Sequence, residues 1–332
     1  MFGLDATPHS HRDWRETTTS SGSLPSVSVV VPTFRRRDRI MRALAPLLDD
    51  PHVDEVIVVV DGSDDGTLEL LQDVARTHDR LRPIWQTNSG PETARQTGLD
   101  AARSEVVLFL DDDVMADPGL GFGHARAHAQ TRGALVVGYM PTVRPQQRRP
   151  GNFTATLYAD EYERFCASWT AEPDSIINTL WGGNYSMRRD DAVRVGVSGT
   201  LNLARVQDRE FGMRCAEAGL SAVFDRTLSA THEHERDLAG YFREYHIIGD
   251  SRRRLGELYP ARLGTFDPRD DLSVAQRLLV GTLAAHGVRK LSRAVLYHGC
   301  RLAGRLHVWP VELALGRLLR QVELIRGFEG DR

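Results

Sequence analysis

Three aspartates in a row, Asp111, Asp112 and Asp113, follow the apolar run VVLFL at 106–110. Adjacent carboxylates repel, and a run this apolar belongs in a core. The abrupt change marks a buried strand that ends at a polar edge. In an extended chain, residues two apart face one side. Asp111 and Asp113 are therefore expected to point together at one ligand, with Asp112 turned away or toward a neighbour. Two such carboxylates suit a hard divalent cation, Mg²⁺ or Mn²⁺, with coordination positions left for phosphate oxygens. A cation held this way acts as a Lewis acid on a leaving diphosphate. The plain alternative is a solvated acidic turn.

Other residues can share that edge. Asp61 ends the run EVIVVV and precedes Gly62; it is either ordinary turn chemistry or an acceptor for a ribose or a base. Arg95, early in a helical segment that starts at Pro91, is matched to phosphate or carboxylate, or is simply solvated. Asp208 stands near a helix start. It either complements the helix dipole or, placed in a cleft, acts as the general base toward a hydroxyl. His232 and His234 in ATHEHERD are metal-ligand types in a charged turn, where solvation is the alternative. In WGGN, Gly182 and Gly183 let a backbone approach a ligand, and Trp181 can stack on a sugar ring or fill the core.

Positioning these groups requires an open sheet. VSVVV (27–31), EVIVVV (55–60), RPIWQ (82–86) and EVVLFL (105–110) read as strands, separated by helical segments at 36–48, at 65–78 with Asp65 as cap, and from Pro91. Strands alternating with helices predict an α/β fold with a mostly parallel sheet flanked by helices. Such sheets bind ligands beyond the carboxyl ends of their strands. Past residue 140 the pattern is less regular: a glycine-bearing loop, a strand and a helix start at 179–193, a helix at 207–220 ended by Gly219, and a short strand SAVFD. From Leu238 onward the chain reads as largely helical.

The 332 residues carry a net charge of −3, so no global basic field points to nucleic acid. The three cysteines, Cys166, Cys215 and Cys300, form no C-x-x-C pair, and a reducing cytoplasm is the expected compartment. Residues 1–25 read as a flexible polar tail without the apolar region of a signal peptide. No apolar run reaches the roughly 18 residues that span a bilayer. Between Ser273 and Gly327 apolar residues recur at three- and four-residue spacing, predicting two or three amphipathic helices. Their polar side holds Arg289, Arg293, Arg301, Arg305, Arg317 and Arg320. Such helices either cap the catalytic domain or a second subunit, or attach peripherally to the inner face of an anionic membrane.

Taken in order, VSVVVPTFRR, VIVVVDGSDDGT, NSGPETARQTG, VVLFLDDDV, WGGNYSMRR, QDREFGMRCAEAG and ATHEH resemble the family-two glycosyltransferases of GT-A fold. The resemblance covers residues 26–235; a helical region, 236–332, follows. It implies a Rossmann-like catalytic domain and inverting, metal-dependent transfer from a nucleotide-diphosphate sugar (UDP-, GDP- or dTDP-linked) to an acceptor hydroxyl. By that resemblance Pro32, Thr33 and Asp61 lie against the nucleoside, with Arg35, Arg95, Gly182 and Gly183 also on the donor side. Asp111 and Asp112 approach ribose and metal, Asp113 ligates Mn²⁺ or Mg²⁺, and His232 completes the metal or diphosphate site. Asp208 is the base, and Trp181 and Asn184 face the acceptor. Departures from the family pattern are the single acid, Asp61, before Gly-Ser, Gln96 where Asn is usual, and Gln207 before the base. The Q-x-x-R-W signature of processive synthases is absent, which favours transfer of one sugar at a time. Two other readings are a sugar-1-phosphate nucleotidyltransferase, disfavoured because PTFRRRDR has no glycine, and a non-catalytic nucleotide-sugar-binding protein.

Overall fold

The computed structural model describes residues 23–199, 203–234, 236–263, 266–285 and 287–330. Most of the predicted tail, 1–25, lies outside them. The first half alternates strand and helix as β1 (Val27–Thr33), α1 (Ile40–Asp49), β2 (Glu55–Asp61), α2 (Thr67–Ala75), β3 (Leu81–Gln86), α3 (Pro91–Ala101) and β4 (Val106–Leu110). β5 (Val114–Ala116), α4 (Leu120–Gln130), β6 (Ala134–Tyr139), α5 (Phe153–Ala171), β7 (Asn184–Arg188), α6 (Arg189–Val195), α7 (Gln207–Glu217) and β8 (Ser221–His232) follow. The chain then runs through α8 (Leu238–Leu258), α9 (Pro260–Leu263), α10 (Val274–Ala284), α11 (Arg289–Arg305) and α12 (Trp309–Glu329).

The sheet order is β3-β2-β1-β4-β7-β6-β8-β5. β3, β2, β1 and β4 are parallel, so the ends of β1, β2 and β4 share one edge, carrying Thr33, Asp61 and Asp111. β7 is antiparallel to both β4 and β6. β1, β2 and β4 are buried on both faces, which explains their unbroken β-branched and apolar sequences. The close approach of α3 to this layer requires Gly98, where a Cβ would sit 2.3 Å from Val30 Cγ1.

Several boundaries differ from expectation, each for a local reason. α1 begins at Ile40 and not at Arg36, because 36–39 forms a turn in which Arg36 O accepts from the amides of Arg39 and Ile40. That turn frees the Arg36 side chain to face Asp112 and Asp113. α2 stops at Ala75, and its cap position is Gly66; Asp65 still accepts from the Thr67 amide at 3.2 Å. SAVFD is only the start of β8. This twelve-residue strand runs parallel to β6 and then pairs with β5, setting His232 opposite Val114. β5, α4, β6 and α5 had no counterpart in the sequence reading.

α8 starts on a cap in which Asp237 accepts from the Gly240 amide. Together with α5, α10, α11 and α12 it builds a second core around Phe153, Tyr241, Phe242, Leu319 and Ile325. Three of the arginines assigned to the polar side pair with carboxylates on neighbouring helices. Arg320 meets Glu161 at 3.2 Å, Arg293 meets Glu323 at 2.6 Å, and Arg317 lies 3.7 Å from Asp160. No helix of the described residues is long and apolar enough to cross a membrane.

β7 also carries a polar network inside the core. His124 Nε2 donates to Asn184 Oδ1 (3.1 Å), the Ser186 hydroxyl donates to His124 Nδ1 (2.7 Å), and His128 Nε2 donates to Ser186 Oγ (2.9 Å). Asn184 Nδ2 donates in turn to Leu228 O at 3.0 Å. Asn184 is thus a fully buried structural residue and not the acceptor contact expected for it. Burial, and then His128, push His124 down to about 3; burial and Arg188 push His128 down to about 4. An unfolded histidine titrates near 6.5. Below that value the unfolded chain takes up two protons that the folded chain refuses, so stability is complete above pH 6.5 and falls as pH drops toward 4. Between pH 7 and pH 5 these two histidines contribute a difference of about 4 kcal/mol, roughly 2 each, to the free energy of urea unfolding, within a total that other shifted groups such as Asp112 and His234 also change. His128→Gln should remove about half of that difference.

Candidate active site

At the carboxyl edge of the parallel strands lies a cavity of about 550 Å³. Its wall includes Pro32, Thr33, Asp61, Arg95, Asp111, Asp112, Asp113, Trp181, Gly182, Asp208 and His232. Eleven predicted site residues, drawn from positions up to two hundred apart in the chain, therefore converge. Arg35, Gly183 and Asn184 do not border it. Arg35 is exposed and pairs with Asp64 at 3.1 Å. Gly183 stands behind Asp111, where its φ of +110° and the 3.0 Å gap to Asp111 Oδ2 exclude a side chain.

The aspartates do not sit in an extended segment. The Val114 amide donates to Asp111 O, so the triplet forms a turn, and the three carboxylates find separate partners. Asp111 Oδ1 accepts from Arg95 Nη2 at 2.5 Å. Asp112 accepts from the Thr33 hydroxyl at 2.7 Å and lies 3.4 Å from Arg36. Asp113 lies 3.5 Å from Arg36 and 3.6 Å from His232 Nε2. The predicted grouping of Asp111 with Asp113 is thus replaced by Asp112 with Asp113, bridged by Arg36. Charge explains the exchange: three carboxylates on one turn separate until each has a donor or a cation. Arg36 was missed because it was assigned to the helix; a basic residue three positions beyond the strand-end Thr33 was the available signal.

Burial raises Asp112 to about 6, against the opposing pull of Arg36 and Thr33. Burial also acts on Asp113, but its bond to His232 and the charge of Arg36 outweigh it, leaving the carboxyl below its ordinary value. Two adjacent aspartates are thereby set apart by their surroundings. Asp113 and His232 are near enough for one cation to touch both, and carboxylate with imidazole is a donor set that accepts Mn²⁺. Among the described residues no three candidate ligands cluster, so such an ion would draw its remaining ligands from diphosphate or water.

Asp208 enters from the first turn of α7. Its Oδ2 accepts from the Gly182 amide at 3.0 Å, and a Cβ on Gly182 would fall 2.5 Å from Oδ1. The glycine of WGGN therefore serves the carboxylate directly. Burial raises the affinity of Asp208 for a proton; Arg95 opposes this and Asp111 adds to it. Asp61 is already engaged, accepting from Gln86 Nε2, Ser89 N and Gly90 N at 2.8–2.9 Å. It holds the loop before α3 and so sets the start of the helix that carries Arg95.

An aromatic and cationic wall also lines the cavity. Trp181 Nε1 donates to Tyr158 Oη at 3.1 Å, and the Tyr158 ring stacks on His234 at 4.0 Å. Burial, and then His232, push His234 down to about 4, so it is neutral at physiological pH. Arg209 lies over Phe165 and Phe266, and Arg252 covers Phe266. Both guanidiniums border the cavity. Burial and the charge of Arg252 lower Arg209 to about 10. The C-terminal helices contribute Tyr241, Glu244, Tyr245 and Leu324 to this wall, a contribution the sequence did not signal.

Residues 28–190 match the family model described as Glycosyl transferase family 2. The glycosyltransferase AglE of Haloferax volcanii is 30% identical over 216 residues, covering 64% of this chain and 68% of that protein. A GalNAc(5)-diNAcBac-PP-undecaprenol beta-1,3-glucosyltransferase of Campylobacter jejuni is 37% identical over 93 residues, 27% of this chain and 30% of its own length. With two Bacillus subtilis glycosyltransferases, TuaG and EpsJ, the shared stretch is 36% and 26% of the relative's length. Among solved structures, the mannosyltransferase PcManGT from Pyrobaculum calidifontis, in complex with GDP-Man and Mn²⁺, superposes with a TM-score of 0.55 at 18% identity, over 92% of this chain and 90% of that one. TarS of S. aureus with UDP-GlcNAc gives 0.50 at 18% identity, over 89% and 92%. The superpositions establish a shared fold, and the AglE match, with the family model, establishes kinship: the chain belongs to glycosyl transferase family 2.

Proposed function

We propose that this protein transfers one sugar at a time from a nucleoside-diphosphate donor to an acceptor hydroxyl, with inversion. The observation that carries the reading is the seat of Asp208. It is a desolvated carboxylate on the cavity wall, with one oxygen held by Gly182 and the other without a hydrogen bond among the described residues. Desolvation makes it a better base, and the held oxygen fixes its direction. Asp208 takes the proton of the acceptor hydroxyl as that oxygen bonds to the anomeric carbon. The bond from that carbon to the diphosphate breaks on the opposite face, and the electron pair leaves with the nucleoside diphosphate.

Arg36 and Arg95 stand at the aspartate turn, where they set the charge facing the donor. Thr33 and Asp112, joined by a hydrogen bond, are positioned for the nucleoside side. Asp113 and His232 would hold a divalent cation, Mn²⁺ or Mg²⁺, whose chemistry is to neutralise the departing diphosphate. Trp181 and Tyr158 offer a sugar-binding surface beside Asp208. PcManGT with GDP-Man and Mn²⁺ and TarS with UDP-GlcNAc supply precedents on the same fold for the donor class.

Asp208→Asn should leave donor affinity within a few-fold of the parent while lowering transfer by about 10²-fold or more, the scale of general base catalysis. Binding calorimetry and a transfer assay against a panel of UDP-, GDP- and dTDP-sugars separate the two effects. Parent-like turnover would assign the proton to another group. Asp113→Asn should abolish the gain in nucleoside-diphosphate affinity that Mn²⁺ confers, with the melting temperature preserved because the residue stands at a polar edge. Unchanged metal-dependent affinity in that variant would remove Asp113 from the ion's shell.

A further inference from the structure

The outer surface of α10 and α11 differs from the rest of the molecule. Ten of the sixteen exposed large apolar side chains among the described residues fall between Val274 and Val311. On α11 and at its C-cap, Leu291, Val295, Leu302 and Leu306 are 58–68% exposed. At 100° per residue they fall within about 60° of one another, a continuous stripe. The buried side of the same helix, with Leu296, Cys300 and Ala303, faces the helical core. On α10, Val274 and Leu278 are 75% and 70% exposed, four residues apart on one face. Packing on the catalytic domain therefore accounts for one face of each helix and leaves the other unpartnered.

The charge of this segment is equally one-sided. From 272 to 311 there are six Lys or Arg and no Asp or Glu, in a chain whose net charge is −3. Lys290, Arg301 and Arg305 follow one edge of the α11 stripe and are exposed. Arg301 and Arg305 also border a groove of about 560 Å³ with Tyr297 and Arg236, and Arg236 borders the catalytic cavity as well.

We propose that α10 and α11 dock this protein on an anionic lipid bilayer. The leucines and valines enter the headgroup–acyl boundary and the cations meet lipid phosphates, the pattern of an interfacial helix. A second copy of the chain is a poorer occupant, because a twofold contact through this face would set an acid-free cationic segment against itself. A nucleic acid would leave the leucine stripe in water. Arg236, bordering both the groove and the cavity, stands between the lipid-facing surface and the site.

The test is sedimentation of the full chain with vesicles of phosphatidylcholine alone and of phosphatidylcholine with phosphatidylglycerol, at low and high salt. Binding to the anionic vesicles at low salt, weakened by salt and far weaker on neutral vesicles, is expected. Replacing Lys290, Arg301 and Arg305 by Gln should lower the partition coefficient about a hundredfold, at roughly fivefold per charge near the surface. Leu291→Ser with Leu302→Ser should abolish the binding that survives high salt. All these side chains are exposed, so the melting temperature of both variants should match the parent's. Absence of binding to anionic vesicles at low salt would overturn the proposal, as would unaltered partition in the Gln variant. A lipid-free dimer dissolved by the two serines, seen by sedimentation equilibrium, would assign the face to a second copy and overturn it too.

Discussion

The site depends on a single cation set among acids. Arg95 is inside the protein on α3, with its guanidinium on Asp111 and its charge felt by Asp208. Burial works against its charge, but the facing carboxylates more than offset this and hold it protonated. At an effective dielectric near 20, one close ion pair is worth about 4 kcal/mol, and breaking a buried one costs about 3–5. Without the arginine, the charge of Asp111 would raise the proton affinity of Asp208 unopposed in a partly dry cavity. A protonated Asp208 could not receive a proton. The geometry of α3, the turn after β4 and the start of α7 are therefore coupled through one side chain.

The same reasoning explains why adjacent aspartates play different parts. Asp112, more desolvated than neutralised, sits near 6 and accepts the Thr33 hydroxyl, whereas Asp113 is held ionised by His232 and Arg36. Divergent surroundings are how one short segment supplies groups of different acidity. What fixes the divergence is β8. Its antiparallel pairing with β5 sets His232 against Val114, and the Glu233 amide donates to Asp113 O at 2.9 Å. A shift of one residue in that register would turn the imidazole to the opposite face.

The helical region does two things at once. Its inner faces close the cavity with Tyr241, Tyr245 and Leu324 and tie α12 to α5 through Arg320 and Glu161. Close packing there is steric as well as electrostatic: a Cβ on Gly327 would lie 1.8 Å from His246 O, so α12 and α8 touch backbone to backbone. Its outer faces on α10 and α11 remain apolar and cationic. The arginines of one amphipathic segment are thus divided between internal ion pairs and the surface, and helical spacing alone could not assign them.

Much of the architecture was legible in the sequence, because apolar β-branched runs ending in polar residues leave few choices. The four parallel strands, the helix at Pro91, the helix at 207 ended by Gly219 and the convergence of Thr33, Asp61 and Asp111 on one edge, with Arg95 close by, follow from periodicity and the topology of open sheets, while Asp208 was assigned to that site by the family resemblance. What the sequence could not determine was orientation at short range. Asn184 has the composition of a ligand contact, yet its register on β7 turns it to His124 in the core. Alternation predicted Asp111 with Asp113, yet a turn at 111–114 pairs Asp112 with Asp113 through Arg36. His232 reaches Asp113 only because β8 continues beyond Asp225. Local pattern decides which elements form and where their polar ends lie. Which carboxylate meets which cation is decided by the lowest-energy arrangement of charges from segments distant in sequence, and that balance exists only once the tertiary structure has brought them together.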